Sequence, residues 1–149
     1  MSGTLFDTNV WLAAFFRAHP GHKTAQRRLT EATAAVPAAL CRQTQLSFLR
    51  LVSTPALLAA YDVAGFANKD AVAVLHAFTA MPNVRTFDEA PGTNESWLRL
   101  AAVNTASPKV WMDAYLAAFA ITSGLALATF DTDFRNFVGA GLDLEVLVA

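Results

Sequence analysis

The sequence has 149 residues, a common length for one domain and enough to bury a sizeable core without disulfides. Its formal net charge of −1 argues against nonspecific binding of nucleic acid through many Lys and Arg side chains. The single cysteine, Cys41, excludes a disulfide framework and a cysteine-based zinc cluster, and we expect it to be a small core residue. We predict one domain over residues 1–149, whose function depends on a local site.

Hydrophobic residues make up 54% of the chain and charged residues 15%, which favours a sheet covered by helices on both faces. The same excess is consistent with an apolar groove that a partner covers. No apolar stretch approaches the ~18 residues that a membrane span needs, and the chain does not begin with a basic segment before an apolar run. We expect a cytoplasmic protein without a membrane partner.

The first half of the chain alternates between short apolar runs, which predict strands, and segments with apolar residues at helical spacing. In chain order it predicts a strand at residues 3–6, helices at 10–17 and 23–33, a strand at 36–40 and a helix at 44–52. The segment His19-Pro20-Gly21 separates the first two helices. Pro55 ends the third, because a residue before proline disfavours the helical conformation.

The second half continues the alternation. In chain order it predicts two helical pieces within residues 56–80, a strand at 84–87, helices at 95–103 and 109–123, a strand at 125–130, a short helical turn at 131–137 and a strand at 144–148. Gly65 divides the first two pieces, and Asn68 is a suitable N-cap for the second. Ser107 as N-cap, Pro108 at the first helical position and Gly124 as the C-terminal cap delimit the helix at 109–123.

Acidic residues stand at the predicted strand ends. Repeated strand–helix alternation predicts a parallel sheet, and such sheets bind ligands outside the carboxyl ends of their strands. Asp7 and Asp131 each follow a predicted strand, where either alone could simply cap the next helix. If both strands are central, the two carboxylates share one crevice, where a cation would offset their repulsion. Asp113 lies among apolar residues of a helix, where a carboxylate needs a metal or a buried base as partner.

Carboxylates without cysteine or clustered histidine favour a hard divalent ion, Mg²⁺ or Mn²⁺. We therefore interpret Asp7, Asp113 and Asp131 as metal ligands whose carboxylates converge closely enough to share one ion. Asp133 could join them or be exposed in the first helical turn. His19 and His22 flank a Pro-Gly turn and are expected to be ordinary loop and helix-start residues. The motifs of serine hydrolases, P-loop enzymes and dinucleotide-binding proteins are absent from the sequence.

Four segments of the sequence, in order, resemble the blocks of VapC-type PIN-domain toxins. They are Leu5–Trp11 (LFDTNVW), Thr44–Arg50 (TQLSFLR), Asp113–Leu116 (DAYL) and Ala128–Phe134 (ATFDTDF). The spacing fits along nearly the whole chain, whereas residues 56–78 match only in general character. The resemblance implies a three-layer α/β/α sandwich with a central parallel sheet of four to five strands. It also implies an Mg²⁺- or Mn²⁺-dependent endoribonuclease, a homodimer, and inhibition by a VapB-type antitoxin.

Carried over residue by residue, the three aspartates match metal ligands and Asp133 matches an often acidic auxiliary position. Asn9 and Thr129 match polar residues that support the site. The family's second acidic residue, usually Glu, falls at Gln45, which we keep as a candidate catalytic residue. A glutamine can accept a hydrogen bond or coordinate weakly through its carbonyl oxygen, but it cannot act as an anion or a base.

Two other functions stay open. Gln45 favours a PIN-like protein that has lost catalysis and acts as a decoy for antitoxin or RNA, although the three Asp positions are retained. A phosphatase with an aspartyl nucleophile would require Asp-x-Asp after the first strand, where the chain has Asp7-Thr8-Asn9.

The sequence also offers candidates for partner surfaces. Scarce basic charge suggests that RNA is selected by its shape and unpaired bases. Candidate RNA contacts are Arg17, Arg27, Arg28, Arg42 and Arg50. Large apolar residues crowd the first helix and the helix at 44–52, which leaves room for a groove that binds an antitoxin segment. We expect Trp11 and Phe15 to line it.

Overall fold

The computed structural model describes residues 3–149. In chain order its elements are β1 (Thr4–Phe6), α1 (Thr8–Phe15), α2 (His22–Glu31), β2 (Ala38–Leu40), α3 (Arg42–Val52), α4 (Pro55–Ala60), α5 (Asn68–Thr79), β3 (Val84–Thr86), α6 (Thr93–Ala101), α7 (Val110–Ser123), β4 (Ala126–Thr129), a 3-10 helix (Thr132–Ala140) and β5 (Leu144–Val146). The strands form one five-stranded sheet in the order β3-β2-β1-β4-β5, and every neighbouring pair is parallel. No helix within residues 3–149 is long and apolar enough to cross a membrane.

Helices cover both faces of the sheet. Successive strand residues point to opposite faces, and accordingly Phe6 and Ala128 belong to a core with residues of α1, α2, α3 and α5. Leu5 and Leu127 belong to a second core with residues of α6, α7 and the 3-10 helix, where Cys41 is buried as expected. The prediction of an α/β fold with three layers and a parallel sheet is confirmed, with five strands.

The helix that carries Asp113 begins later than predicted. Its first residue is Val110, preceded by Lys109, so Ser107 is not the N-cap and Pro108 is not its first residue. The Ser107 hydroxyl bonds with that of Thr105, at 2.7 Å, and the Ser107 carbonyl accepts from the Val110 N–H at 3.1 Å. The predicted end is confirmed, because Gly124 has a φ of 67° and donates its N–H back to the last turn.

Two other boundaries differ for local reasons. Asn68 is the first residue of α5, not its N-cap, and the first turn is closed by the carboxylate of Asp70, which accepts from the Ala67 N–H at 2.7 Å. Strand β2 begins after Pro37, which has no N–H for a strand ladder. The Pro37 carbonyl still accepts from the Thr4 N–H at 3.0 Å.

The expected position of Trp11 on a partner groove is wrong. Trp11 is 1% exposed. The centroid of its ring lies 5.2 Å from the ring centroid of Phe6 and 5.0 Å from that of Phe78. Helix α1 is apolar around most of its circumference, so the sequence did not reveal which side faces the core. Phe15 is half-buried and, with Phe78 and Met81, lines an open cavity of about 630 Å³ between α1, α2 and α5.

Candidate active site at the carboxyl edge of the sheet

Asp7 and Asp131 lie at the same edge of the sheet because they follow adjacent parallel strands. Strand β1 pairs with β4 so that Phe6 stands opposite Ala128, and the Asp7 N–H donates to the Ala128 carbonyl at 2.9 Å. Each side chain also caps the helix that begins after it. Asp7 accepts from the Thr8 N–H at 2.7 Å, and Asp131 accepts from the Asp133 N–H at 2.9 Å. Capping therefore uses one oxygen of each carboxylate. The second oxygen of Asp7 accepts from Thr129, and that of Asp131 accepts from Lys109.

Asp7 is partly buried beside other acids. Burial raises its pKa from 3.8 to about 6, against the opposing effect of hydrogen bonds from the Thr129 hydroxyl and the Thr8 N–H. The negative charges of Asp113 and Asp131 also contribute to the rise of this pKa. The three aspartates assigned from the sequence are thus electrostatic neighbours, although they come from three different elements.

Thr129 and Asn9 hold this edge together. The buried Thr129 hydroxyl donates to Asp7 Oδ2 at 2.8 Å and accepts from the Asp131 N–H at 2.9 Å. It also accepts from Asn9 Nδ2 at 3.2 Å, and Asn9 Oδ1 accepts from the Phe130 N–H at 3.3 Å. One hydroxyl therefore connects the ends of β1 and β4 and fixes the direction of the Asp7 carboxylate.

Sequence reasoning did not assign Lys109 to the site. Its Nζ donates to Asp131 Oδ2 and to Asp133 Oδ2, both at 2.8 Å, and lies 3.7 Å from Asp113 Oδ2. The only signal in the sequence was the four-residue spacing from Lys109 to Asp113, which places two residues on one side of a helix. The structure thus brings Asp133 into the cluster and puts an ammonium group among three carboxylates.

The expected convergence of Asp7, Asp113 and Asp131 on one ion is not met in this arrangement. Among residues 3–149, no three His, Cys, Asp or Glu side chains stand where they could hold one metal ion together. Lys109 bonds one oxygen each of Asp131 and Asp133, and those oxygens are directed at its nitrogen. The two oxygens of Asp7, by contrast, accept from the Thr8 N–H and the Thr129 hydroxyl.

The pKa directions agree with this geometry. Burial raises the pKa of Asp113, Lys109 lowers it, and Asp131 and Asp133 raise it again. Burial also acts to raise the pKa of Asp131, but the hydrogen bonds from Lys109 and from the Asp133 N–H, together with the charge of Lys109, hold that pKa below its usual value. Hydrogen bonds to Asp131 and Asp133 raise the pKa of Lys109. The cluster stabilises a positive charge at the position of this nitrogen.

Gln45 is buried near the same edge, and its hydrogen bonds go to residues other than the aspartates. Its Oε1 accepts from Arg42 at 2.8 Å and its Nε2 donates to the Thr86 hydroxyl at 3.3 Å. The hydrogen bonds found for this side chain connect the start of α3 to the end of β3, on the far side of β2 from the acidic cluster.

The candidate RNA contacts fall into two groups. Arg28 is a structural residue: it bonds Glu145 at 2.8 Å and the Thr4 hydroxyl at 3.0 Å, and only 17% of its side chain is exposed. These interactions within the fold disfavour the prediction that it contacts RNA. Arg17, Arg27, Arg42 and Arg50 are exposed. His19 accepts from the Gly21 N–H, and His22 bonds the Ala13 carbonyl, so both make local contacts as expected.

The residues present fit a divalent metal in their chemistry. The edge offers carboxylate oxygens from Asp7, Asp113, Asp131 and Asp133, and hard oxygen donors are what Mg²⁺ and Mn²⁺ prefer. The Lys109 ammonium group, within 2.8 Å of two of these carboxylates, shows that a cation is accommodated there. A metal that took its place would also relieve the repulsion that raises the pKa of Asp7.

A parallel five-stranded sheet with an acidic carboxyl edge is the arrangement that the sequence resemblance predicted. The family model "PIN domain" matches residues 4–139. The chain therefore belongs to the PIN-domain family. It is 38% identical, over 144 residues, to Ribonuclease VapC41 of Mycobacterium tuberculosis, a match that covers 96% of this chain and 97% of the relative.

Solved structures share the fold. VapBC2 from Rickettsia felis, bound to a DNA fragment from its promoter, superposes with a TM-score of 0.63 at 14% identity, covering 97% of this chain and 98% of that one. VapC20 of Mycobacterium tuberculosis, described as a Sarcin-Ricin loop cleaving toxin, gives 0.63 at 19% identity over 94% and 96% of the two chains. A toxin–antitoxin complex from Klebsiella pneumoniae gives 0.60 at 19% identity over 97% of each chain.

Proposed function

We propose that this protein is a divalent-metal-dependent endoribonuclease of the cytoplasm and the toxin of a VapBC-type toxin–antitoxin pair. The observation that carries the proposal is the group of aspartates at the carboxyl edge of the sheet, where Asp113, Asp131 and Asp133 surround a positive charge and neighbouring carboxylates contribute to the raised pKa of Asp7. The 38% identity to a protein named as a ribonuclease supports RNA as the substrate. Ribonucleases of the PIN-domain class are generally dependent on divalent metal, which supports the assignment of the aspartates.

In this proposal Asp7, Asp113 and Asp131 hold Mg²⁺ or Mn²⁺, and Asp133 is an auxiliary ligand. A metal bound there would lower the pKa of a water molecule and polarise a phosphodiester oxygen. Thr129 orients the Asp7 carboxylate through its hydroxyl, so the direction of this carboxylate is set before a metal binds.

In the proposal Gln45 is not a metal ligand but positions the positively charged side chain of Arg42. Its Oε1 holds the Arg42 guanidinium group at the end of the sheet that RNA must approach. Arg42 is exposed and carries the fixed positive charge that suits a phosphate of the substrate. The assignment of Gln45 as a catalytic residue is thereby reduced to support of Arg42.

A VapB-type antitoxin is the proposed partner, and a homodimer the proposed assembly. Two of the similar solved structures, VapBC2 and the complex from Klebsiella pneumoniae, are toxin–antitoxin systems, which supports such a partner for this chain. The cavity between α1, α2 and α5 is open and lined by Phe15, Val74, Phe78 and Met81. It offers an apolar groove for an antitoxin segment, with Arg17 at its border.

The test is cleavage of a panel of labelled structured RNAs by purified protein, with Mn²⁺ and then with excess chelator. We expect cleavage that chelator abolishes and that Asp7→Asn and Asp113→Asn each lose. Asp62→Asn, the same substitution at an exposed residue outside the site, is the matched control and should cleave like the wild type.

The outcomes separate the candidate functions. RNA binding with no cleavage by the wild type, at any Mn²⁺ concentration, would favour the decoy function that the glutamine at position 45 suggests. Cleavage that persists in chelator would overturn the metal-dependent mechanism. Unchanged cleavage by either aspartate variant would remove that residue from the site.

A further inference from the structure

Lys109 takes part in the acidic site in a way that the proposed reaction does not explain. It precedes α7 and reaches across to the loop after β4, so that one nitrogen bonds carboxylates from Asp131 and Asp133 at 2.8 Å. The third carboxylate, Asp113, belongs to its own helix and lies 3.7 Å away. An ordinary surface ion pair joins one ammonium group to one carboxylate, whereas this nitrogen has three carboxylate partners.

The position of this nitrogen coincides with the ligands assigned to the metal. Asp131 and Asp113 are proposed ligands, and Asp133 is the auxiliary one. A carboxylate oxygen that accepts an ammonium proton cannot at the same time present that lone pair to a divalent ion. The Lys109 side chain is 61% exposed, so the aliphatic stem has room to swing into solvent without disturbing a packed core.

We propose that Lys109 is a built-in counter-cation of the acidic site, which a divalent ion must displace before the aspartates can converge on it. The inference rests on the proposed metal site. It accounts for two findings together: the aspartates are neighbours, yet no three of the described residues are arranged to hold one ion. Lys109 stabilises the cluster in the absence of metal and thereby weakens metal binding.

Calorimetric titration with MnCl₂ tests this in the wild type, Lys109→Met and Lys69→Met. Methionine keeps a flexible stem of similar length but removes the charge, and Lys69 is an exposed lysine at the start of α5 that serves as the matched control. We expect Lys109→Met to bind Mn²⁺ roughly tenfold more tightly, because a small network of partly exposed ion pairs no longer competes. Lys69→Met should bind like the wild type, and Lys109→Arg, which keeps the charge, should not gain affinity.

Thermal melts distinguish competition from simple stabilisation. In chelator, Lys109→Met should melt at a lower temperature than the wild type because its carboxylates repel one another without a counter-cation. In saturating Mn²⁺ that difference should disappear, since the metal supplies the positive charge. An ion pair with a purely structural role would leave the same difference in both conditions, which would overturn the proposal.

A measurement on the wild type does not depend on whether any variant folds. Amine acetylation followed by mass spectrometry compares Lys109 with Lys23 and Lys69, the other two lysines of the chain. We expect Mn²⁺ to increase labelling of Lys109 alone. Labelling unchanged by Mn²⁺ in a protein that binds Mn²⁺, or equal affinity in Lys109→Met, would overturn the role of Lys109 and leave the metal site standing. Absence of Mn²⁺ binding in every variant would overturn the metal site itself, and the inference with it.

Discussion

Replacing Asp7 by Asn should change how stability depends on pH. A carboxyl group whose pKa is higher in the folded state binds its proton more tightly when folded. For Asp7 this contribution to stability is complete below the unfolded value of 3.8 and is lost as the pH rises through about 6. The wild type should therefore lose stability from this residue between about pH 4 and pH 7, whereas Asp7→Asn should not.

The magnitude is set by the two pKa values. The difference between 3.8 and about 6, at about 1.4 kcal/mol per pKa unit, is about 3 kcal/mol. Relaxation of the neighbouring carboxylates reduces it, so we expect the difference in unfolding free energy between variant and wild type to grow by about 1–3 kcal/mol. The variant should also lose about 1 kcal/mol of unfolding free energy at every pH. The two carboxylate oxygens of Asp7 accept from the Thr8 N–H and the Thr129 hydroxyl, whereas the single oxygen of an amide can replace only one of them.

Urea unfolding in chelator, at a series of pH values from about 4.5 to about 7.5, measures this difference. Asp62→Asn supplies the control for the substitution type at an exposed residue. A difference between Asp7→Asn and wild type that stays flat across the series would refute the claim that Asp7 is held beside other acids in a buried setting. Saturating Mn²⁺ should stabilise the wild type at about pH 7.5 and stabilise the variant less, because the metal favours the ionised carboxylate.

Three further substitutions test the support of the site. Thr129→Val removes a hydroxyl with three hydrogen bonds and should cost about 2–4 kcal/mol in urea unfolding; a cost under about 1 kcal/mol would contradict its linking role. Gly21→Ala places a Cβ 2.7 Å from Cζ of Phe130 and should cost about 1–3 kcal/mol, whereas Gly139→Ala, with nothing within 4 Å, should not. Gln45→Glu should leave the Mn²⁺-induced rise in melting temperature unchanged, because this side chain has no hydrogen bond to the cluster; a larger rise would place position 45 within reach of the metal.

The sequence predicted the elements and the edge where the site lies. Asp7 and Asp131 could be assigned because an acid directly after a buried strand has its position fixed by the strand, and both strands proved adjacent. Asp113 was assigned because it lies among apolar residues of a helix, and the family resemblance agreed, although the helix gives no information about its distance from the other two. Fold class and site location are thus properties of local pattern and topology.

The features that the sequence missed depend on long side chains and on helix rotation. Lys109 was visible only as a residue four before Asp113, and nothing in that spacing tells that its nitrogen reaches two carboxylates on another element. Trp11 was assigned to a groove because α1 is apolar on most sides, and only packing against the sheet decided which side is buried. The start of α7 was misplaced by one residue, because the chain turns at Pro108 and Lys109 before the helix begins at Val110.

The central claim is that the aspartate cluster holds a divalent ion that activates water for RNA cleavage. The most direct measurement is analysis of the product ends after cleavage in Mn²⁺ of an RNA that carries a single 2′-deoxy nucleotide at the cut position. A metal-activated water does not use the 2′-hydroxyl group. We therefore predict that the substituted RNA is still cut and that no product of the unmodified RNA ends in a 2′,3′-cyclic phosphate. Loss of cleavage on 2′-deoxy substitution, together with cyclic phosphate ends on the unmodified RNA, would contradict the account.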